Sequence, residues 1–263
     1  MAELLGAQRR TRILEEVARA GSVRVSDLTA VLGVSEMTVR RDLDRLGREG
    51  LLHKVHGGAT AVRPRSSAEA GFRASTLRMP EAKEAIARAA VRLVERGQTV
   101  ALGAGTTTWA LAHQLVQVEE LTVITNSIHI ADVLRGRQDV VILGGVRTPS
   151  DALVGPVADQ TLRGLHVDVA FLGCHGFSAA GITAPNLAEA ETNRGFVRAA
   201  GRLVVLADSA TWDTVGLMAY ATLPEVDVLV SDDGLPPDVR ETVAALVRVL
   251  EVARVPPPES AAR

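Results

Sequence analysis

Over the first fifty residues the hydrophobic positions recur at helical spacing, and the polar residues between them mark off three short helices. Ile13, Leu14, Val17 and Ala18 fall three and four apart, which predicts a first helix over about 8–20, stopped by Gly21. "SVRV" (22–25) is short and β-branched. Ser26 is placed to cap a second helix, "DLTAVLG", with Leu28 and Leu32 facing inward and Gly33 closing it in a tight turn. Ser35 is placed to cap a third helix that runs to about Arg48. Gly50 stops that helix, "LLHKV" alternates as one strand, and "HGG" turns the chain back, so a strand pair is expected here.

Residues 61–80, with Pro64, Ser66, Ser67, Gly71 and Pro80 and no clean period, read as a connector. "EAKEAIARAAVRLVERG" (81–97) predicts a helix with Ile86, Ala90, Leu93 and Val94 on one face and Gly97 as its stop. Short apolar runs then alternate with helical patterns. The runs are "TVAL", "LTVIT", "DVVILGG", "VDVAFLG" (167–173), "RLVVLAD" (202–208), "VDVLVSD" (226–232) and "VRVLEV". Unbroken apolar strands of this kind are covered on both faces, so the expected fold is a mostly parallel α/β sheet. The expected domains are residues 1–60, a linker over 61–80, and 81–263.

On a wheel of about 100° per residue, Val39, Leu43 and Leu46 of the third helix share one side. Met37, Arg41, Asp44 and Arg48 point roughly opposite, flanked by Thr38, Arg45 and Arg40. A helix that docks by its apolar stripe after a short turn, with its N-terminal third exposed, has the geometry of a major-groove reader. The candidate DNA-contacting residues are Ser35, Met37, Thr38, Arg40, Arg41 and Arg45, with Lys54 and His56 on the following strand pair. The same pattern also fits a three-helix bundle with a solvated charged face, since Asp42, Asp44 and Glu49 dilute the arginines.

Charge adds to this picture. The net charge is −2, yet residues 1–80 hold 14 Lys and Arg against 9 Asp and Glu, while 81–263 hold 15 against 22. A polyanion would therefore meet the front of the chain. Cys174 is the only cysteine, so no intrachain disulfide can form, which fits a reducing cytoplasm. No apolar run reaches about 18 residues and the first residues lack a long apolar signal core, so a soluble, unexported protein without a membrane partner is expected.

Four unusual segments sit just after the predicted strands: "GAGTTT" (103–108), "TNS" (125–127), "GGVR" (144–147) and "GCHG" (173–176). Small residues at the first let backbone N–H groups approach an anion, and Thr106, Thr107 and Thr108 add hydroxyls. Each segment alone could be a cap or a tight turn. Together they fall on one edge of the sheet, where open α/β folds bind small molecules. Candidate effector contacts are Gly105, Thr106, Thr107, Thr108, Asn126, Ser127, Gly145, Arg147 and Gly176. No dinucleotide fingerprint appears, because Thr108 stands where the third glycine would be. No histidine has metal-ligand spacing, and neither a cofactor nor a metal is expected. The alternative is an enzyme fused to a DNA-binding domain, with Glu191, Asp208 and His175 as possible acids or bases. Against it, Lys83 is the only lysine after residue 80, and Cys174 beside His175 reads as a buried thiol.

The string "VSEMTVRRDLDRLGREGLLHKVHGGAT" resembles the winged helix-turn-helix of DeoR-type bacterial repressors, and the likeness extends upstream to "RILEEVARAG". The resemblance implies that Ser35, Thr38, Arg40 and Arg41 lie on the operator-reading helix, with His56, Gly57 and Gly58 in the wing. "GAGTTTWALA", "TNS", "LGGVR", "DVAFLGCHGF" and "VLADSATW" resemble the sensor domain of the same family, whose fold is similar to ribose-5-phosphate isomerase and glucosamine-phosphate deaminase. It implies a double-stranded operator, a phosphorylated sugar as the releasing effector, and control of carbohydrate genes. Because one reading helix spans too few base pairs for specificity, a homodimer or homotetramer is expected. The family pattern often carries Asp-Ser ahead of the glycine turn and two lysines downstream. Here Gly103 and Ala104, Asn193 and Thr211 occupy those places, which adds Asn193 to the candidate contacts, and Arg147 or Arg194 is left to pair with a phosphate.

Overall fold

The computed structural model of the chain describes residues 6–20, 22–55, 57–61 and 71–256. Gly21 and His56, with Pro64, Ser66 and Ser67 of the connector, lie outside the described residues. The described chain forms two units. One holds the residues up to 61 together with Arg73–Pro80; the other holds Gly71, Phe72 and Glu81–Pro256.

The first unit runs α1 (Gly6–Ala20), β1 (Ser22–Arg24), α2 (Val25–Leu32), α3 (Glu36–Arg48), β2 (Leu52–Val55) and β3 (Gly58–Ala61). The apolar positions picked out by their spacing form its core: Ile13, Val17, Leu28, Val39, Leu43 and Leu46 are all buried. Gly33 closes α2 at φ 65°, a left-handed conformation that glycine adopts without penalty. Ser35 caps α3, accepting from the Thr38 N–H. Two details differ from the sequence reading. Helix α2 begins two residues earlier, at Val25, so Ser26 lies inside its first turn. The Val25 N–H is satisfied instead by the Gly57 carbonyl at 2.9 Å, a partner more than thirty residues away. The short β1 also joins the strand pair, giving an antiparallel sheet of order β1-β3-β2.

The chain then forms α4 (Phe72–Thr76) and α5 (Pro80–Ala90). Helix α5 stops before the expected Gly97. Val91–Leu93 tighten into a 3-10 turn and Val94 is extended, at φ −108° and ψ 133°. The β-branched Val91 and Val94 favour that exit.

In the second unit the elements are β4 (Thr99–Leu102), α6 (Thr106–Leu115), β5 (Thr122–Thr125), α7 (Ile128–Leu134), β6 (Asp139–Ile142), β7 (Val146–Arg147), β8 (Leu153–Val154) and α8 (Pro156–Leu162). They continue with β9 (Val169–Gly173), β10 (Gly176–Ser178), β11 (Gly181–Ala184), α9 (Leu187–Ala199), β12 (Leu203–Leu206), β13 (Met218–Ala221), β14 (Val228–Asp232), α10 (Pro237–Ala244) and β15 (Val249–Ala253). Seven parallel strands form one sheet, ordered β15-β14-β12-β9-β4-β5-β6. Alternate residues of each strand feed opposite faces. Ala101, Leu172, Val205 and Leu229 enter one core, and Val100, Phe171, Val204 and Val230 the other. The sequence reading did not foresee the antiparallel sheet β10-β11-β13, the β7–β8 hairpin, or helix α8.

Candidate functional site

On α3 the burial of Val39, Leu43 and Leu46 leaves Met37, Arg40, Arg41 and Arg45 in solvent. Their electrostatic states differ. Arg40 pairs with Glu36 at 3.2 Å, Arg45 with Glu49 at 3.0 Å, and Lys54 of β2 with Asp44. Arg41 has no ion-pair or hydrogen-bond partner among the described residues. Surface pairs of this kind hold together by about 1 kcal/mol or less, so a phosphate can displace their acids. Asp42 behaves differently from the expectation that it dilutes the arginines. It is buried against α1, where Arg9 reaches it at 2.5 Å and Arg10 at 3.7 Å. Its charge locks α3 onto α1 and is absent from the exposed face. Ser35 and Thr38 sit at the helix start with their hydroxyls 3.0 Å apart, engaged with each other.

In the second unit, the chain steps outward from β4 through β5 to β6, and in the opposite direction from β9 through β12 and β14 to β15. The order reverses between β4 and β9, and the carboxyl ends of strands at such a reversal open a crevice. The turn Gly103–Gly105 lies on one side of it and Gly173–His175 on the other. A Cβ on Gly103 would come within 2.6 Å of Leu172 Cδ2, so a larger residue there would push that buried side chain of β9 aside.

Asn126 holds the first turn in place. Its side-chain oxygen accepts from the Ala104 N–H at 2.7 Å, and its amide donates to the Leu153 carbonyl at 3.1 Å. The Thr108 hydroxyl donates to the Gly103 carbonyl at 2.6 Å, and the buried Ser127 hydroxyl caps α7 by accepting from the Ile130 N–H. These three side chains are therefore committed to shaping the turns. Gly105 and Thr106 remain partly open at the start of α6, whose first N–H groups and dipole favour anionic or hydroxyl-bearing atoms. Thr107 is buried. Gly145, at φ 147°, passes so close to β8 that a Cβ would lie 2.5 Å from the Val154 carbonyl oxygen. It lets the β7–β8 hairpin lie beside Asn126.

That hairpin carries a group the sequence did not reveal. Arg147 Nε donates to Asp151 Oδ1 at 2.7 Å, and His129 Nε2 meets Asp151 Oδ2 at 2.8 Å. The Arg147 hydrogen bond, followed by that from His129, holds the Asp151 carboxyl below its ordinary range, and the same pairing raises Arg147. Phe72 stacks on the His129 ring at 3.9 Å and meets Trp109 edge-on at 5.8 Å. In sequence His129 and Asp151 lie 22 residues apart, and no spacing rule joins them.

Two expected contacts fall elsewhere. Gly176 is not in an open turn; it is buried at the start of β10, where a Cβ would lie 2.1 Å from the Thr214 carbonyl oxygen. Asn193 is half-buried on α9 and makes no hydrogen bond to the Asn126 cluster among the described residues. Cys174 lies beside Thr211, Sγ to Oγ1 3.8 Å. Burial is the main cause that pushes its thiol up to about 12, with the Asp208 charge adding to the rise. Glu191 is on the surface, paired with Arg198 at 3.3 Å. Among the described residues no cluster of His, Cys, Asp and Glu could hold a metal ion, and no helix is long and apolar enough to cross a membrane.

Known proteins share both halves. The family model described as the DeoR-like helix-turn-helix domain matches residues 9–65, and that of the DeoR C terminal sensor domain matches 78–233. The HTH-type transcriptional regulator YulB of Bacillus subtilis is 33% identical over 256 residues, spanning 96% of each chain. The lactose phosphotransferase system repressor of Staphylococcus epidermidis is 32% identical over 226 residues, 84% of this chain and 90% of that protein. Ribose 5-phosphate isomerase A from Methanocaldococcus jannaschii is a structural neighbour at 18% identity and a TM-score of 0.37, covering 50% of this chain and 54% of the isomerase.

Proposed function

The chain belongs to the DeoR family of DNA-binding transcriptional regulators with a C-terminal sensor domain, and on that premise we propose that it is a cytoplasmic repressor of carbohydrate-metabolism genes. Helix α3 reads a double-stranded operator in the major groove, with Arg41 on a base edge and Arg40, Arg45 and Lys54 on phosphates. A phosphorylated sugar or a related metabolite releases it by binding beside Gly105, Thr106 and Arg147. The working form is a homodimer or homotetramer, because one reading helix covers too few base pairs and paired half-sites supply the rest by symmetry. Residues 61–80 connect the two functions.

The observation that carries this reading is the solvent-facing Arg41, without a partner among the described residues, on a helix whose other side is buried. The sensor reading over an isomerase or deaminase is supported by Glu191, a candidate acid or base of the enzyme reading, which lies on the surface in an ion pair with Arg198. The test is Arg41→Ala in the full chain, measured by fluorescence anisotropy on operator duplexes with single base changes. A loss of about 1–3 kcal/mol with flattened preference at one base position is expected for a base-edge contact. A variant that binds all duplexes like the wild type would remove α3 from the groove. Thermal-shift titration of the full chain with sugar phosphates, free sugars and polyols identifies the effector, since a ligand of the folded state raises the melting temperature. Turnover of a sugar phosphate would instead favour the enzyme.

A further inference from the structure

We infer that Phe72, His129 and Asp151 link the Arg147 site to the DNA-binding unit; the inference rests on the sensor reading above. His129 and Asp151 are positioning residues, and Phe72 is the contact they hold. Phe72 belongs to the sensor unit, and at Arg73 the chain passes to the other unit. Both residues lie on α4. Five residues after Phe72, Leu77 packs against the core formed by α1, α2 and α3. A short segment is thus anchored at its start in one unit and at its end in the other.

The first anchor depends on the site. Phe72 lies nearly parallel to the His129 imidazole, at 16° and 3.9 Å. One carboxylate sets that ring and the candidate ligand contact together: Asp151 holds His129 with Oδ2 and Arg147 with Oδ1. The Arg147 side chain is 60% exposed, so a ligand oxygen can reach it from solvent. An anionic or hydroxyl-rich ligand that takes the guanidinium frees Oδ1, and the carboxylate turns. The His129 ring then loses the partner that fixes its plane, and the Phe72 stack loosens with it. Helix α4 has only five residues and few hydrogen bonds of its own, so it depends on its anchors. Its release lowers operator affinity, because the ligand binds differently to the chain with α4 held and with α4 freed.

Amide hydrogen exchange on the full chain tests the link without DNA or ligand. The probes are the Leu77 and Arg78 N–H groups, which donate to the Ala74 and Ser75 carbonyls. Asp151→Asn and Phe72→Ala should each speed their exchange by at least about threefold. The double variant should exchange no faster than the faster single variant, because both changes cut the same link. Phe72→Tyr keeps the stack and should exchange like the wild type. Wild-type exchange in Asp151→Asn, or effects that simply multiply in the double variant, would overturn the link. Exchange that follows the expected pattern in a chain that binds no operator would leave the link standing and reject the regulator reading.

Discussion

At Asp151 the backbone sits in the left-handed region, at φ 66°, while the carboxylate holds two partners. For a residue other than glycine that conformation costs roughly 1–2 kcal/mol, and Asp tolerates it better than most. Because Arg147 and His129 lower its pKa, the pairing stabilises the fold above the unfolded carboxyl value and is lost as pH falls through the folded one. The urea midpoint of the wild type should therefore exceed that of Asp151→Asn above about pH 5, and the gap should close below about pH 4. A gap that widens on acidification would contradict the pairing. Cys174 supplies a second check. With its thiol at about 12, it should resist a disulfide reagent at pH 8 in the folded chain and react with one equivalent after unfolding. Single residues were the least legible scale. Nothing near Asp42 in the sequence says that it turns inward to Arg9, and nothing near His129 points to Asp151.

Helix α3 is specified three times over: by its apolar stripe, by its Ser35 cap, and by the buried pair of Asp42 with Arg9. The three differ in size. Ser35→Ala should cost about 0.5–2 kcal/mol, the usual worth of a cap. Asp42→Ala takes the buried acid away from the half-buried Arg9 and Arg10 and should cost more, about 3 kcal/mol. Chemical denaturation followed by circular dichroism ranks them, and an Asp42→Ala variant as stable as Ser35→Ala would mean the pair is solvated. Elements with strong periodicity were legible in kind and place, though not in their ends, since α5 stops at Ala90 and not at Gly97. All seven sheet strands were foreseen, because a strand buried on both faces is an unbroken apolar run. Strands β10, β11 and β13 read "GFS", "GITA" and "MAYA" and carry no such signal; β10 and β11 form a tight hairpin, and the distant β13 pairs with β11 to complete the sheet. The start of α2 was misread because its cap comes from the Gly57 carbonyl in the wing.

For the whole molecule, the proposed operator binding predicts a steep salt dependence. Each phosphate contact contributes roughly −0.9 to the slope of log affinity against log salt. Lys54→Ala should make that slope shallower by about one unit with base preference unchanged, whereas Arg41→Ala should change preference with little effect on slope. Sedimentation equilibrium should show a dimer or larger at the concentrations where the operator is bound, and a chain that binds as a monomer would contradict the paired half-sites. The sequence by itself determined what local spacing can encode: three helices and a wing ahead of a parallel α/β unit, and an arginine face opposite a leucine stripe. Those follow from periods of 3.6 and 2 that any short window displays. Only the tertiary structure decided which charges are spent and which are free. Asp42 is neutralised inside, Asn126 and Thr108 are committed to the turns, Arg147 shares Asp151 with His129, and Arg41 is left over. A side chain's electrostatic state depends on neighbours brought from distant parts of the chain, and no window of sequence contains them.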